Sequence, residues 1–419
     1  MTSTWIQYIA AGVFGLALLH TFFAKVFKRL AHRYPRHAGL LHLLGEVEIV
    51  FGVWAAVLIV MMALVAGGGA ALAYTESRNY TEPLFVFVVM IIAATRPIVA
   101  FVMYTIDKLA RWMPADDAVA RVWLGLSLVP LSGSLVTEPA AMTIAALVLG
   151  PQVFRQSVPE WHKYSVLGVL FVNISIGGTL TAYAAPPVLM VASAWNWDSL
   201  FMLSHIGWKA AVAVVINATL ATFLIGKSVR GLPDTGWEGS PRDMSASAIA
   251  THIAFLAAIV VFSHHPVIFV AIFLFFIGCV QAYPRSQDRL LIKEAISVAF
   301  FLAGLVILGG MQQWWLQPLV SGLEPAHLFI SASALTAITD NAALTYLGSL
   351  IASMSDEAKY MLVTGAVVGG GLTIIANAPN PVGAALLREG FRDESIGAAG
   401  LLAAALLPTM IAAAMFFFF

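Results

Sequence analysis

Two carboxylic acids, Glu138 and Asp340, stand inside apolar stretches of the sequence and could do chemistry there. An acid at the centre of a bilayer costs about 2.5–3.5 kcal/mol on insertion scales, so such a residue indicates a function. Burial favours the protonated form of a carboxyl group, whereas a bound metal cation favours the ionised form. One carboxylate can therefore exchange a proton for a cation. Asp340 is the stronger prediction, because Thr339 and Asn341 add neutral oxygens suited to a hard cation.

Neutral oxygen donors and glycines accompany both acids. The segments Gly177–Thr181 and Gly369–Thr373 are each followed by alanines and prolines, which predicts an unwound helix whose carbonyls can coordinate a cation. The alternative is glycine that serves tight helix packing. The predicted cation- and proton-binding residues are Asp340, Glu138, Asn341, Thr339, Thr137, Asn377, Asn380, Thr181 and Thr373, with Na+ held by Asp340, Asn341 and Glu138.

Two basic residues, Arg96 and Lys209, also fall within predicted membrane spans. Buried charges need partners, so these residues are expected counter-ions for the intramembrane acids. A purely structural ion pair is therefore the alternative explanation for Glu138 and Asp340.

The elements that position these residues are membrane helices. The chain has 419 residues, of which 60% are hydrophobic and only 11% are charged, against about a quarter charged in soluble domains. Apolar runs of about 20 residues can each cross the hydrocarbon layer. We therefore predict an all-α polytopic membrane protein with about ten transmembrane helices. The spans lie near 4–24, 39–66, 84–106, 164–183, 199–225, 248–263, 266–283, 294–310, 360–380 and 398–417.

The sequence carries no sign of an enzyme or of a nucleic-acid-binding protein. It has no phosphate-binding loop, no nucleophile elbow and no HExxH spacing, and its net charge is zero. The single cysteine, Cys279, lies in an apolar run and predicts neither a disulfide nor a thiol metal site. We expect no catalytic residue, no cofactor and no nucleic acid partner. Small ions and the lipid bilayer are the expected partners.

Two further segments, residues 122–150 and 320–350, are long enough for a helical hairpin and are interrupted by polar residues at their middles. We predict that both are re-entrant, because this topology satisfies the positive-inside rule. All Lys and Arg residues then fall in inner loops except Arg78 and Lys359, which lie outside, and the two within spans. The prediction is a multi-pass protein of the inner (plasma) membrane with both termini on the outer side.

This topology divides the chain into two inverted repeats. Each repeat has three spans, one hairpin and two spans, and Thr137–Thr143 aligns with Thr339–Thr345. Inverted repeats with broken helices at matching positions indicate the midplane site of a secondary transporter. The predicted domains are a first repeat at residues 1–226 with an inward-opening hairpin, a cytoplasmic linker at 227–247, and a second repeat at 248–419 with an outward-opening hairpin.

With these motifs in hand, the pattern resembles the ion transporter superfamily, which includes arsenite permeases and citrate and dicarboxylate symporters. The likeness is greatest to its sodium/proton antiporter branch and is carried by Leu131–Pro187 and Ser331–Pro381. The resemblance implies a site built from the hairpin tips and unwound helices, and it implies a homodimer. The first hairpin departs from the dicarboxylate branch, since Glu138-Pro139 stands where that branch has a neutral turn.

Three function classes follow. The leading hypothesis is a secondary antiporter that exchanges Na+ (or Li+ or K+) for H+, with Asp340 as the main carrier and Glu138 as a second titrating group. The alternative within transport is a Na+- or H+-coupled organic-anion symporter, or a metalloid exporter. The third class is a membrane protein without transport activity, and the paired acids at both breaks disfavour it.

Overall fold

A computed structural model describes residues 4–232, 244–284, 289–320, 322–352 and 354–419. Its helices are α1 Thr4–Arg33, α2 Ala38–Leu44, α3 Val47–Ala66, α4 Gly68–Glu76, α5 Thr81–Ala93, α6 Arg96–Trp112, α7 Asp117–Leu126, α8 Leu128–Val136, α9 Glu138–Leu149, α10 Glu160–Gly177, α11 Pro186–Trp195, α12 Ser199–Met202, α13 Trp208–Val229, α14 Ala246–Val261, α15 Pro266–Ala282, α16 Ile292–Gly309, α17 Gln313–Val320, α18 Pro325–Thr336, α19 Asn341–Ser349, α20 Asp356–Gly369, α21 Asn380–Leu387 and α22 Ala398–Phe418.

The predicted fold class is confirmed, since the described residues form helices and no strands. Five helical segments are long and apolar enough to cross a membrane, and up to seven are if each strongly bent pair counts as one span. Other predicted spans correspond to shorter apolar helices, among them α14 and α15. The chain is a multi-pass membrane protein.

Two pairs of consecutive helices in the described residues meet at a sharp bend. α5 and α6 meet at an angle of 63°, and α6 begins with Arg96 and Pro97. Proline fits the first turn of a helix because that turn leaves its backbone N–H groups unbonded. α7 and α8 form a second bent pair, with an angle of 41°.

The chain forms two compact units, each assembled from separate parts of the sequence. The first unit comprises Met1–Phe87, Ile292–Leu323 and Tyr346–Ser355. In it, α3 packs against α16 and α1. The buried Gln312 side chain donates hydrogen bonds to the carbonyls of Leu308 and Ala10, which ties the end of α16 to α1.

The second unit comprises Val88–Leu291, Glu324–Thr345 and Asp356–Phe419, and it contains every predicted site residue. Its central element is α10, which contacts α8, α9, α13, α20 and α22. Asn173 of α10 joins this helix to α7 and α13: its amide donates to the carbonyls of Leu126 and Val214 and accepts from Asn217. Asn173 is thus a packing residue.

The predicted domains and the observed units describe different things. The two predicted repeats are consecutive in sequence, whereas each compact unit takes residues from both. The repeat boundaries therefore stay a prediction. Of the predicted linker, residues 233–243 lie outside the described residues.

Candidate cation-binding site

Glu138 is the first residue of α9 and has no exposed surface. The preceding residue, Thr137, has a φ of 80°, and this left-handed conformation separates α8 from α9. The chain then turns back, since Gly133 of α8 faces the side chain of Ala141 of α9. An acid at a helix N-terminus is favoured by the unbonded N–H groups there. The local sequence thus places a carboxylate at the break between two helices.

The carboxylate of Glu138 is bound by a residue from the other end of the chain. Asn377 lies in the irregular segment between α20 and α21, and its Nδ2 donates a 2.8 Å hydrogen bond to Oε2 of Glu138. The other carboxylate oxygen, Oε1, is buried and has no hydrogen-bond partner. No Lys or Arg of the described segments forms an ion pair with Glu138.

Asn341 and Asn380 belong to the same cluster. The backbone N–H of Asn341 donates to the carbonyl of Ala376, next to Asn377. The amide of Asn380 donates to the carbonyls of Gly370 and Thr373, at 2.7 and 2.9 Å. These bonds hold the loop that ends α20 in place, so the three predicted asparagines are brought together with Glu138.

Buried oxygens without hydrogen bonds are concentrated at this cluster. Nearly all buried polar groups in proteins have a partner, so such a group of atoms is typical of a site that binds something. The unbonded oxygens are Oγ1 of Thr137, Oε1 of Glu138, Oγ1 of Thr336, and Oδ1 of Asn341, Asn377 and Asn380. All but Thr336 are predicted site residues. Nothing in the sequence distinguished Thr336 from the many threonines of membrane helices.

The two glycine segments end their helices as predicted, α10 at Gly177 and α20 at Gly369. A methyl group added to Gly178 would lie 2.7 Å from Oε1 of Glu138, and one added to Gly370 would lie 2.9 Å from Nδ2 of Asn341. Only glycine permits these approaches. The matching glycines therefore face Glu138 and Asn341, whereas the sequence alignment paired Glu138 with Asp340.

Asp340 has a structural task of its own. Its Oδ1 accepts hydrogen bonds from the backbone N–H groups of Ala342 and Ala343, at 2.8 and 3.2 Å, which makes it the N-cap of α19. Its side chain is half-buried. Asp340 directly precedes Asn341, whose backbone N–H donates to the carbonyl of Ala376 beside Asn377. Asp340 therefore belongs to the cluster, but Glu138 is the more deeply buried acid.

The hydroxyls of three predicted threonines donate hydrogen bonds to backbone carbonyls near the helix breaks. Thr181 Oγ1 donates to the carbonyl of Ser134 at 2.7 Å, and Thr373 Oγ1 donates to the carbonyl of Ala337 at 2.8 Å. Each bond joins a residue ahead of one of the two aligned acids, Glu138 or Asp340, to the last residue of a glycine segment. Thr339 Oγ1 donates to the carbonyl of Leu335 within its own turn. All three hydroxyls keep an oxygen that can accept or coordinate.

Lys209 and Arg96 were the expected counter-ions of the intramembrane acids. Lys209 is buried, and its Nζ donates to the hydroxyl of Tyr360 at 2.8 Å. No carboxylate in the described part of the chain pairs with it. Arg96 is half-buried and is the first residue of α6, directly after the bend from α5.

A comparison with known proteins identifies the family of the chain. The family model described as "Putative Na+/H+ antiporter" matches residues 5–419. The chain belongs to this family. A similar solved structure is the crystal structure of the YdaH transporter of Alcanivorax borkumensis, at 15% identity and a TM-score of 0.42 over 88% of this chain and 96% of that one. No curated protein matches the chain.

The cluster combines two kinds of oxygen. It has the carboxylates of Glu138 and Asp340, and several neutral oxygens of the kind that hard cations bind. It lies in the second unit, where α9, α10, α19, α20 and α21 contribute residues.

Proposed function

We propose that this protein exchanges Na+ for H+ across the membrane, with Glu138 as the shared carrier. The observation that carries the proposal is the state of the Glu138 carboxylate. It is fully buried, Oε2 is bound by Asn377, and Oε1 has no hydrogen-bond partner. A buried carboxylate without a partner cation is unfavourable, and either a proton or a metal ion removes that cost.

The exchange follows from competition for one group. When Glu138 is protonated, its O–H occupies the oxygen that a cation needs. When the proton leaves, Na+ binds the carboxylate, and the site again carries no net charge. Glu138 cannot hold both ions at once. A site that carries Na+ across the membrane in one direction therefore carries H+ back in the other.

Neutral oxygens complete the coordination. Those of Asn377, Asn341, Asn380 and Thr137 are buried and unbonded. They fit a hard monovalent cation, because such ions take oxygen ligands and a single negative charge balances them. Asp340 acts as a second titrating group through its charge, and Thr181, Thr339 and Thr373 hold the surrounding backbone.

The wider organisation is part of the proposal. The two hairpins are re-entrant and belong to inverted repeats that meet near the midplane, and the protein works as a homodimer. It is driven by Na+ and H+ gradients without a cofactor, in the inner (plasma) membrane with both termini outside. Thr181 and Thr373 donate similar hydrogen bonds, each to a carbonyl ahead of one of the two aligned acids, and this similarity supports the inverted repeats. An organic anion is disfavoured, because Glu138 and Asp340 would repel a carboxylate.

The test is Na+-dependent proton movement in proteoliposomes with a pH-sensitive dye inside. We expect a Na+ gradient to drive proton movement in the wild type and Glu138→Gln to abolish it. Glu324→Gln is the matched control, because it makes the same change at an exposed acid of the same unit and should exchange normally. Normal exchange by a folded Glu138→Gln variant would overturn the proposal. So would a wild type that responds to organic anions and not to Na+.

A further inference from the structure

A cavity of about 610 Å³ in the second unit shares no residue with the Glu138 cluster. It is lined at one side by Trp195, Trp197, Phe201 and His205 and at the other by Tyr360. The first four rings form a continuous row, with centroid distances of 5.1, 4.8 and 4.2 Å between successive rings. Tryptophans at the ends of apolar helices are typical of a membrane–water interface. The row thus marks a cavity at the level of lipid head groups.

The floor of the cavity carries a buried positive charge. Lys209 is only 9% exposed, and one of the three N–H groups of its ammonium donates to Tyr360. Tyr360 in turn donates to the carbonyl of Phe416, so the ammonium lies level with the end of α22. No carboxylate within the described ranges pairs with it. A buried ammonium with free donors at a cavity floor favours an anionic group.

The rim carries the opposite charge. Asp356 lies on the cavity lining, and its charge is balanced by an ion pair of 2.7 Å with Lys359. Glu357, also on the cavity lining, is exposed and forms no ion pair among the described residues. The cavity therefore offers one cation at its floor, one carboxylate at its rim and aromatic faces between them. A ligand that matches has an anion and an ammonium a few bonds apart.

We propose that this cavity binds the head group of a zwitterionic phospholipid. The phosphodiester accepts from Lys209, and the ammonium lies between Glu357 and the aromatic row. A lipid is the favoured source of this zwitterion, because large apolar side chains beside the cavity face outward. Leu200 is 73% exposed and Phe418 is 75% exposed, which provides surface for acyl chains. The proposal is independent of the ion-exchange function.

The experiment is native mass spectrometry of the detergent-purified protein titrated with phosphatidylethanolamine or phosphatidylglycerol of the same acyl chains. Both lipids contain the phosphodiester, but only phosphatidylethanolamine carries an ammonium group. We expect the ethanolamine lipid to bind several-fold more tightly. Lys209→Met should weaken its binding about ten-fold, as loss of a charge-assisted hydrogen bond does. Glu357→Gln should abolish the preference between the two lipids.

Two comparisons make the outcome decisive. Lys108→Met is the matched control, because the Lys108 ammonium also lies over a tryptophan ring, that of Trp112, but outside this cavity. Its lipid binding should equal that of the wild type. Glu357 is exposed, so its substitution leaves folding intact and keeps the test valid if Lys209→Met is unstable. Equal binding of both lipids, or an unchanged preference for the ethanolamine lipid in Glu357→Gln, would refute the lipid site. Soluble glycerophosphoethanolamine that binds as tightly as the ethanolamine lipid would also refute it.

Discussion

The amide of Asn377 donates a 2.8 Å hydrogen bond to the carboxylate of Glu138, which joins two helix breaks that are 239 residues apart in the chain. Hydrogen bonds to charged groups contribute about 1.5–3 kcal/mol, so this bond has a measurable effect. We predict that Asn377→Ala raises the half-saturating Na+ concentration about ten-fold or more. Flux measured over a range of Na+ concentrations checks this. Asn79→Ala, which changes an asparagine in the first unit, is the control, and equal half-saturation in both variants would contradict the prediction.

The contact between Gly178 and Glu138 leaves no room for a side chain. A methyl group there would lie 2.6 Å from Cγ and 2.7 Å from Oε1 of Glu138. We predict that Gly178→Ala displaces the carboxylate and abolishes exchange while the protein stays folded. Gly226→Ala is the control, since a methyl group on Gly226 meets nothing within 4 Å. Exchange at the wild-type rate in Gly178→Ala would show that Glu138 is not held as described.

Substitutions of Asp340 can show whether this residue caps α19 or carries ions. Asp340→Asn keeps an oxygen for the N–H groups of Ala342 and Ala343 and removes the charge. We predict that Asp340→Asn keeps much of the exchange activity, unlike Glu138→Gln. Asp340→Ala should also lower the free energy of unfolding by about 1 kcal/mol through loss of the cap. If Asp340→Asn is as inactive as Glu138→Gln, the two acids act together as carriers.

Lys163 holds together the segments that follow the two site helices. Its buried ammonium donates to the carbonyl of Phe154, after α9, and to the carbonyl of Gly390, after α21, at 2.8 and 2.9 Å. We predict that Lys163→Met destabilises the protein by about 3 kcal/mol or more, because two buried carbonyls lose a charged donor. Thermal unfolding in detergent measures this. Lys227→Met, at an exposed lysine, should unfold like the wild type, and an equal effect of both changes would contradict the account.

Much of the fold was readable from the sequence because the bilayer restricts the choices. Apolar runs predicted the helices, and Gly177 and Gly369 predicted breaks that the structure contains. Helix ends were less predictable. α1 continues to Arg33 rather than ending near residue 24, since polar residues extend a helix as readily as apolar ones outside the hydrocarbon layer.

The residues of the Glu138 cluster could be chosen from the sequence, but their contacts could not, and their role as a cation site stays a prediction. Polar residues in apolar runs identified Glu138, Asn341, Asn377 and Asn380, which the structure brings together. The ranking of the acids depended on neighbours in sequence, which favoured Asp340. The partner of Glu138 is distant in sequence, and no local pattern specifies a bond over 239 residues.

The tyrosine partner of Lys209 shows the same limit. A buried lysine predicts a partner, and the expected partner was an acid. The ammonium donates one hydrogen bond to a tyrosine hydroxyl instead, and that hydroxyl donates to the carbonyl of Phe416. These bonds join α13, α20 and α22, and no local sequence pattern specifies them.

Direct measurement of ²²Na+ binding to the purified protein, with simultaneous detection of released protons, tests the central claim. The account predicts that each Na+ bound displaces a proton from Glu138, that Na+ binding weakens as the pH falls, and that Glu138→Gln binds no Na+. Asp340→Asn should still bind Na+ with proton release. Saturable Na+ binding by Glu138→Gln, or Na+ binding by the wild type without proton release, would contradict it.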